Sequence, residues 1–153
     1  MIGKHYNNYQ ERNKNQINIS EQVFENYCKD KNIKIHKLGF NEKTGSINYF
    51  YTLHPIIRKL PDYIMEYKNK LHYIEVKGTN KLKVDDIRTY KQFYKLFCKD
   101  NSFQIAFVNI RTVRVKIINL LNIIKSIKNL PIKRFQNDNK QYYEIPIDNP
   151  TYK

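Results

Sequence analysis

Two acidic residues and one lysine near the middle of the chain have the types and spacing that phosphodiester chemistry needs. Asp62 and Glu75 border two short runs rich in β-branched and aromatic residues, and Lys77 follows Glu75 by two positions. Such runs favour β-strands. A tight turn centred on Lys68 and Asn69 would join them, because asparagine tolerates positive φ. Counting outward from this turn along an antiparallel ladder sets Asp62 opposite Glu75.

The predicted register brings the two carboxylates into one small volume. Directly opposed residues have Cβ atoms ~4.5–5.5 Å apart, and two like charges ~5 Å apart repel by about 3 kcal/mol when the effective dielectric constant is roughly 20. A divalent cation reverses the sign of this interaction, and hard carboxylate oxygens are ligands that Mg²⁺ takes. Because side chains alternate along a strand, Lys77 shares the face of Glu75. Its ammonium would position an attacking water or stabilise the transition state.

The same residues form a motif that resembles a known family. Pro61-Asp62 followed by Glu75-Val76-Lys77, with Gly78 leaving the strand, is similar to the signature of the PD-(D/E)XK nuclease superfamily. Many restriction enzymes, archaeal Holliday-junction resolvases and repair exonucleases belong to that superfamily. The resemblance covers roughly residues 20–110. It implies an α/β fold with a restriction-endonuclease-like core, in which a small mixed β-sheet is flanked by helices in the order α-β-β-β-α-β.

The resemblance also implies a role for each residue of the motif. Asp62, Glu75 and the main-chain carbonyl of Val76 would hold Mg²⁺, for which Mn²⁺ would substitute. Lys77 would act on the attacking water. We therefore expect a metal cofactor and no small-molecule cofactor.

A glutamate near the start of the chain is the remaining catalytic candidate. Members of the superfamily commonly carry a glutamate on their first helix that reaches the metal or its waters. The run Ser20–Cys28 is similar to that helix in archaeal resolvases, with Ser20 as an N-cap and Glu21 in the acidic position. Glu25 lies farther from the apolar stripe of this helix and is the alternative. Glutamate in a first helical turn is also favoured by the helix dipole alone.

Four polar residues after the motif are candidates for nucleic-acid binding. Lys81 and Lys83 form a basic loop directly after the Glu75 strand, where they would contact phosphate. In several branches of the superfamily, the following helix offers a glutamine or a lysine to the site. Gln92 matches by residue type, whereas Lys91 lies closer to the apolar face of the helical wheel.

The remaining elements follow from hydrophobic periodicity. The apolar stretch 102–110 predicts a strand buried on both faces, and its position after a helix predicts a parallel, right-handed β-α-β crossover. The segment 41–59 fits a helix or a strand equally well. We divide the chain into a polar arm (1–18), one nuclease-like domain (19–130) and a tail (131–153) with a possible edge strand at 142–147. The other predicted elements are helices at 20–30, 85–99 and 119–129 and strands at 33–38 and 112–117.

The charge of the chain favours a polyanionic partner. Its 153 residues include 28 Lys and Arg against 14 Asp and Glu, a formal net charge of +14. Each phosphate that a lysine neutralises releases counterions, and no helix concentrates basic residues on one face as a membrane-surface helix does. Cys28 and Cys98 lack a CxxC spacing, and no apolar signal segment opens the chain. We expect a protein of the cytoplasm, nucleoid or nucleus that is not secreted and binds no membrane.

These observations predict a Mg²⁺-dependent deoxyribonuclease, a DNA endonuclease directed to DNA structure or ends. A homodimer would let two such sites cut two strands, as recombination or repair requires. Two alternatives stay open: a non-catalytic nucleic-acid-binding protein on the same fold, and a nuclease subunit of a larger recombination or transposition complex. The residues do not separate endonuclease from exonuclease action, or DNA from RNA.

Overall fold

A computed structural model of the protein describes residues 19–38 and 54–148. The predicted polar arm, most of the ambiguous segment 41–59 and the last five residues lie outside these ranges. The helices are α1 (Ile19–Asp30), α2 (Pro55–Arg58), α3 (Val84–Phe97) and α4 (Leu120–Ile127). The strands are β1 (Lys34–Lys37), β2 (Tyr63–Tyr67), β3 (Lys70–Lys77), β4 (Lys81–Lys83), β5 (Ser102–Asn109), β6 (Arg114–Asn119), β7 (Lys133–Arg134) and β8 (Gln141–Glu144).

Five of these strands form a mixed sheet in the order β1-β2-β3-β5-β6. The β1–β2, β2–β3 and β5–β6 pairs are antiparallel, whereas β3 and β5 are parallel. One core packs α1 against the sheet, and a second core packs α3 and α4 against its opposite face. The predicted fold class, a small mixed sheet flanked by helices, is confirmed.

The hairpin that carries the motif has the predicted register. Tyr67 pairs with Lys70, and Tyr63 pairs with Ile74 at the far end of the ladder. Lys68 and Asn69 have φ values of 50° and 60°. Positive φ at both central residues is what a two-residue type I′ turn requires, because its twist matches that of the strands.

The parallel crossover is also confirmed. The chain leaves β3, passes through α3 and returns in β5 beside β3. Four consecutive residues of β5, 105–108, are buried. Ile105 and Phe107 lie in the core under α3, whereas Ala106 and Val108 lie in the core under α1. Helices on both faces therefore explain why this strand is apolar at successive positions.

The strand predicted at 142–147 exists as β8 but does not extend the main sheet. It is the central strand of a second, three-stranded sheet, β4-β8-β7. Ile145 and Asn80 exchange two hydrogen bonds, Ile145 N to Asn80 O at 2.8 Å and Asn80 Nδ2 to Ile145 O at 3.1 Å. Ile145 is fully buried and Tyr142 nearly so. The tail thus adds to the main core because β4 offers it a pairing partner.

The start of α1 also differs from the prediction. The helix begins at Ile19, so Ser20 lies within the first turn instead of serving as its N-cap. Ser20 packs against Gly78, where a Cβ atom would lie 2.4 Å from Ser20 Oγ. The close approach of α1 to the end of β3 therefore favours glycine at this position.

No helix in the described ranges is long and apolar enough to cross a membrane.

Candidate active site

Asp62 directly precedes β2 and reaches across to β3. Its Oδ2 atom accepts a hydrogen bond of 2.8 Å from the backbone N–H of Val76, and its own carbonyl accepts one of 2.8 Å from Leu38 N. Continuing the hairpin register by one residue sets Asp62 opposite Glu75. The structure therefore brings the first two motif acids together at the end of the hairpin away from the turn.

The electrostatic surroundings of Asp62 oppose its ionisation. Burial and the nearby charge of Glu75 raise the pKa of Asp62 to about 8, although the hydrogen bond from Val76 N–H acts in the opposite direction. The charge of Glu21 raises it further, and Lys77 lowers it by a smaller amount. Asp62 is therefore held in surroundings that favour its protonated form.

Glu75 and Lys77 project from the α3 side of the sheet and contact each other. Lys77 Nζ lies 3.3 Å from Glu75 Oε1, and the two side chains are 23% and 13% exposed. Burial raises the pKa of Glu75 against the attraction of Lys77. Burial alone would lower the pKa of Lys77, but Tyr90, Glu75 and Asp86 raise it well above its ordinary value. Lys77 is therefore an ammonium throughout the neutral range.

Asp86, in the first turn of α3, is a site residue that the sequence analysis missed. Its Oδ2 atom lies 3.6 Å from Lys77 Nζ, and its Oδ1 atom accepts a hydrogen bond of 2.9 Å from Lys59 Nζ. Burial would raise the pKa of Asp86, but the charges of Lys77 and Lys59 hold it below its ordinary value. One signal was present: Asp86 lies four residues before Tyr90, on the apolar face of the helix.

Tyr90 is the second residue that the sequence analysis did not assign to the site. Its hydroxyl donates a hydrogen bond of 3.1 Å to Glu75 Oε1, and its ring lies 5.8 Å from Lys77 Nζ. The ring is 2% exposed and packs on Phe103 of β5 with centroids 5.2 Å apart. Tyr90 also belongs to the hydrophobic core under α3. It serves the core with its ring and the site with its hydroxyl.

The two glutamates of α1 have different surroundings. Glu21 is 17% exposed and lies 3.3 Å from Lys37 Nζ, and it is close enough to Asp62 for its charge to raise the pKa of that carboxyl. Glu25 accepts a hydrogen bond of 2.5 Å from the hydroxyl of Tyr63, which is buried beneath the helix. Glu21 is therefore the acid of this helix on the Asp62 side, and Glu25 is engaged in packing the helix on β2.

The four candidates for nucleic-acid binding fall into two groups. Lys81 and Lys83 lie on β4, and the charge of Lys83 helps to lower the pKa of Asp86. Lys91 and Gln92 are exposed on α3, just beyond Tyr90. The α3 side chains that reach the site are Asp86 and Tyr90. A helix turns by about 100° per residue, so Lys91 and Gln92 project in other directions.

The oxygen donors of the motif fit a hard divalent cation. In the described ranges, no group of three or more His, Cys, Asp or Glu side chains is arranged to hold a metal. The oxygens that would hold one at the motif are those of Asp62, Glu75 and the Val76 carbonyl. The N–H and C=O of one strand residue point to the same side, which places this carbonyl on the Asp62 side. Continuing the register sets Pro61 opposite Val76, and proline has no N–H to donate to it. Carboxylate and carbonyl oxygens of this kind suit Mg²⁺.

The folded chain is similar to two solved structures. Hjc of Archaeoglobus fulgidus, a Holliday junction resolvase from an archaeal hyperthermophile, matches with a TM-score of 0.45 and 9% identity, over 84% of this chain and 88% of the resolvase chain. D212, a nuclease from a fusselovirus, matches with a TM-score of 0.44 and 11% identity, over 91% and 84% of the two chains. Both neighbours are nucleases. No family model and no curated protein matches the sequence. Because both scores are low, the function proposed below rests on this chain's own residues.

Proposed function

We propose that the protein is a metal-dependent DNA endonuclease. One observation carries the proposal: the hydrogen bond from Val76 N–H to Asp62 holds this carboxylate at the end of the strand on which Lys77 Nζ contacts Glu75. Two carboxylates at the ends of adjacent strands repel each other unless a cation joins them. Because the two partly buried carboxylates lie close together on a positively charged protein, the site suits binding of a phosphodiester together with a divalent metal.

Each residue of the site has a separate task in this proposal. Asp62, Glu75 and the Val76 carbonyl would hold Mg²⁺ or Mn²⁺, which when bound neutralises the phosphate and acidifies a water. Lys77 orients the attacking water and offers its positive charge to the phosphate oxygens as charge develops there. Glu21 supplies a further acceptor on the Asp62 side.

The surface next to the site would bind the DNA backbone. Lys81 Nζ lies 5.4 Å from the Tyr142 ring and 6.0 Å from the Phe135 ring, and Lys83 Nζ lies 6.0 Å from the Phe135 ring. These contacts hold both ammonium groups against the second sheet. Lysines bound to phosphates position a duplex but read no base sequence. We therefore propose recognition of DNA structure or ends, with Lys91, Gln92 and a second copy of the chain as further contributors.

The test is a cleavage assay on supercoiled plasmid, linear duplex and four-way-junction DNA, with Mg²⁺, Mn²⁺ or a chelator. We expect cleavage with either metal and none with the chelator. Lys77→Ala should lower the rate by at least about 100-fold, in the range of a lost acid-base or electrostatic group. Lys95→Ala, which removes an exposed lysine of α3, is the matched control. Full cleavage by the Lys77 variant would exclude the proposed role.

A non-catalytic nucleic-acid-binding protein is the second candidate function. The observation in its favour is that Lys77 and Tyr90 already contact Glu75 Oε1, so this carboxylate is well satisfied without a metal. DNA binding that depends on salt, without cleavage of any of the three substrates, would support it. Cleavage that begins only when a partner protein is added would instead indicate a subunit of a recombination or transposition complex.

A further inference from the structure

A cavity of different chemistry lies at the turn end of the main sheet, on the α1 side. Its volume is about 830 Å³, and small-molecule sites span roughly 300–1,000 Å³. The side chain of His72 lines it, whereas Glu75 and Lys77 project from the opposite face of β3. His72 precedes Lys77 by five residues, which corresponds to ~17 Å along a strand. The cavity is therefore separate from the candidate active site.

His72 and Gln104 line one wall of this cavity and belong to a connected set of polar side chains. His72 Nδ1 lies 2.5 Å from Ser102 Oγ and 3.1 Å from Gln104 Nε2, and Gln104 Nε2 also donates to Ser102 Oγ at 3.0 Å. His72 Nε2 donates to the carbonyl of Tyr67 at 3.3 Å, which leaves Nδ1 as the acceptor. Within residues 19–38 and 54–148, the Gln104 Oε1 atom accepts no hydrogen bond, and Gln104 lines the cavity. This amide oxygen is available to a ligand.

Two tyrosine rings and three lysines form the rest of the polar lining. Lys31 Nζ lies 5.2 Å from the Tyr27 ring centroid, and Lys68 Nζ lies 5.3 Å from the Tyr67 ring centroid. Lys70 is the third lysine, and no acidic residue of the described ranges lines the cavity. A ligand that satisfies this lining has a flat ring with a hydrogen-bonding edge and carries negative charge.

We propose that this cavity binds a nucleotide. The base stacks on a tyrosine ring, as bases do on aromatic side chains in single-strand sites, and its edge bonds to Gln104. The phosphate lies among the lysines, which serve as point charges for it. The nucleotide is either free or the unpaired end of a nucleic-acid strand. This inference does not depend on the proposed nuclease activity, because the two sites share no residue.

Calorimetric titration of the full chain in the presence of a chelator tests the proposal. The probes are AMP, adenosine, inorganic phosphate and a short single-stranded oligothymidylate. We expect AMP to bind with a Kd below roughly 1 mM, and adenosine or phosphate alone to bind at least about tenfold more weakly because each makes half of the contacts. The ratio of oligonucleotide to AMP affinity identifies whether a strand end or a free nucleotide is the better ligand.

Two variants and one matched control make the test specific. Gln104→Leu removes the free amide oxygen at similar volume, and Lys31→Gln removes one charge from the rim. Each should weaken AMP binding by about fivefold or more, in the range of one lost hydrogen bond to a charged or polar group. Lys95→Gln removes the same charge from the exposed side of α3 and should leave AMP binding unchanged. Thermal melting confirms that each variant is folded.

Three results would overturn the proposal: no AMP binding at millimolar concentration, phosphate binding as tightly as AMP, or equal losses in Lys31→Gln and Lys95→Gln. The cleavage assay separates this result from the nuclease proposal. Gln104→Leu should cut DNA with an unchanged rate constant at saturating DNA, whereas Lys77→Ala should bind AMP as the unchanged protein does.

Discussion

Tyr90 donates a hydrogen bond of 3.1 Å from α3 to Glu75 Oε1 on β3. The same oxygen lies 3.3 Å from Lys77 Nζ, so one carboxylate oxygen joins a phenol and an ammonium. Both partners hold Glu75 in a fixed orientation, and within residues 19–38 and 54–148 its other oxygen makes no hydrogen bond or ion pair. The hydrogen bond thus connects α3 to β3, the strand that carries Glu75 and Lys77. In the proposed mechanism, Tyr90 is therefore a positioning residue.

Tyr90→Phe tests this positioning role. The substitution keeps the ring on Phe103 and removes only the hydroxyl, so we expect a stability loss of about 0.5–1.5 kcal/mol, as for one hydrogen bond. The cleavage rate should fall by about tenfold, because Glu75 and Lys77 lose a shared orienting contact. Urea unfolding and single-turnover cleavage measure the two effects. Tyr94→Phe, one turn further along α3, is the control. A variant with full activity would show that the hydroxyl serves packing only.

Asp86 and its neighbour Asp85 offer a matched pair of substitutions. Asp86 lies between Lys77 and Lys59 and its side chain is 18% exposed, whereas the side chain of Asp85 is 71% exposed. Asp86→Asn should lower both stability and cleavage, because the partly buried ammonium of Lys77 and the exposed one of Lys59 lose their counter-charge. Asp85→Asn should leave both within measurement error. We expect Asp86→Asn to lower the free energy of unfolding, measured in urea, by about 1–3 kcal/mol. Equal effects of the two substitutions would contradict a role for the ion pairs that Asp86 makes with Lys77 and Lys59.

The pKa of Asp62 predicts how stability depends on pH without metal. Its value is raised from 3.8 to about 8 in the folded protein, so the folded state holds this proton more tightly than the unfolded state does. Stability is therefore greatest below the unfolded pKa and falls as the pH rises towards the folded pKa.

Asp62→Asn should abolish this part of the pH dependence. In the presence of chelator, we expect the variant and the parent to have equal free energies of unfolding near pH 4. At pH 8 the free energy of unfolding of the variant should be higher by on the order of 2–4 kcal/mol. Adding Mg²⁺ at pH 8 should restore stability to the parent and not to the variant, since a bound cation stabilises the folded state alone. Asp100→Asn, at an exposed acid after α3, is the control. Stability that rises between pH 5 and 8 in chelator, and is independent of Asp62, would contradict the prediction.

The turn of the hairpin gives a prediction about the motif's geometry. Asn69 has a φ of 60°, a conformation that glycine adopts without strain and β-branched residues avoid. Asn69→Gly should preserve or slightly raise the free energy of unfolding, whereas Asn69→Val should lower it by about 1–2 kcal/mol. Because the turn sets the register of Asp62 against Glu75, the valine variant should also lose Mg²⁺-dependent stabilisation. Thermal unfolding with and without Mg²⁺ checks both effects, and equal melting temperatures for the two variants would rule out this turn conformation.

The local pattern of the sequence determined the hairpin, its register and the three motif residues that meet at its end. Side chains alternate with a period of two, so the position of one tight turn at Lys68 and Asn69 sets every pairing out to Tyr63 and Ile74. The apolar run of β5 and its place after a helix likewise determined the parallel crossover. These are properties of residues close together in the chain.

Only the tertiary structure decided which other residues join the site. Asp86 and Tyr90 reach Lys77 and Glu75 because α3 packs on β3 at one rotation, and a shift of one residue would present Lys91 instead. The pairing of β8 with β4 likewise joins two segments about 60 residues apart. Neither segment contains a local pattern that indicates which strand it pairs with. Rotation of a helix and the choice of strand partner follow from the packing of the whole core, which no short stretch of sequence encodes.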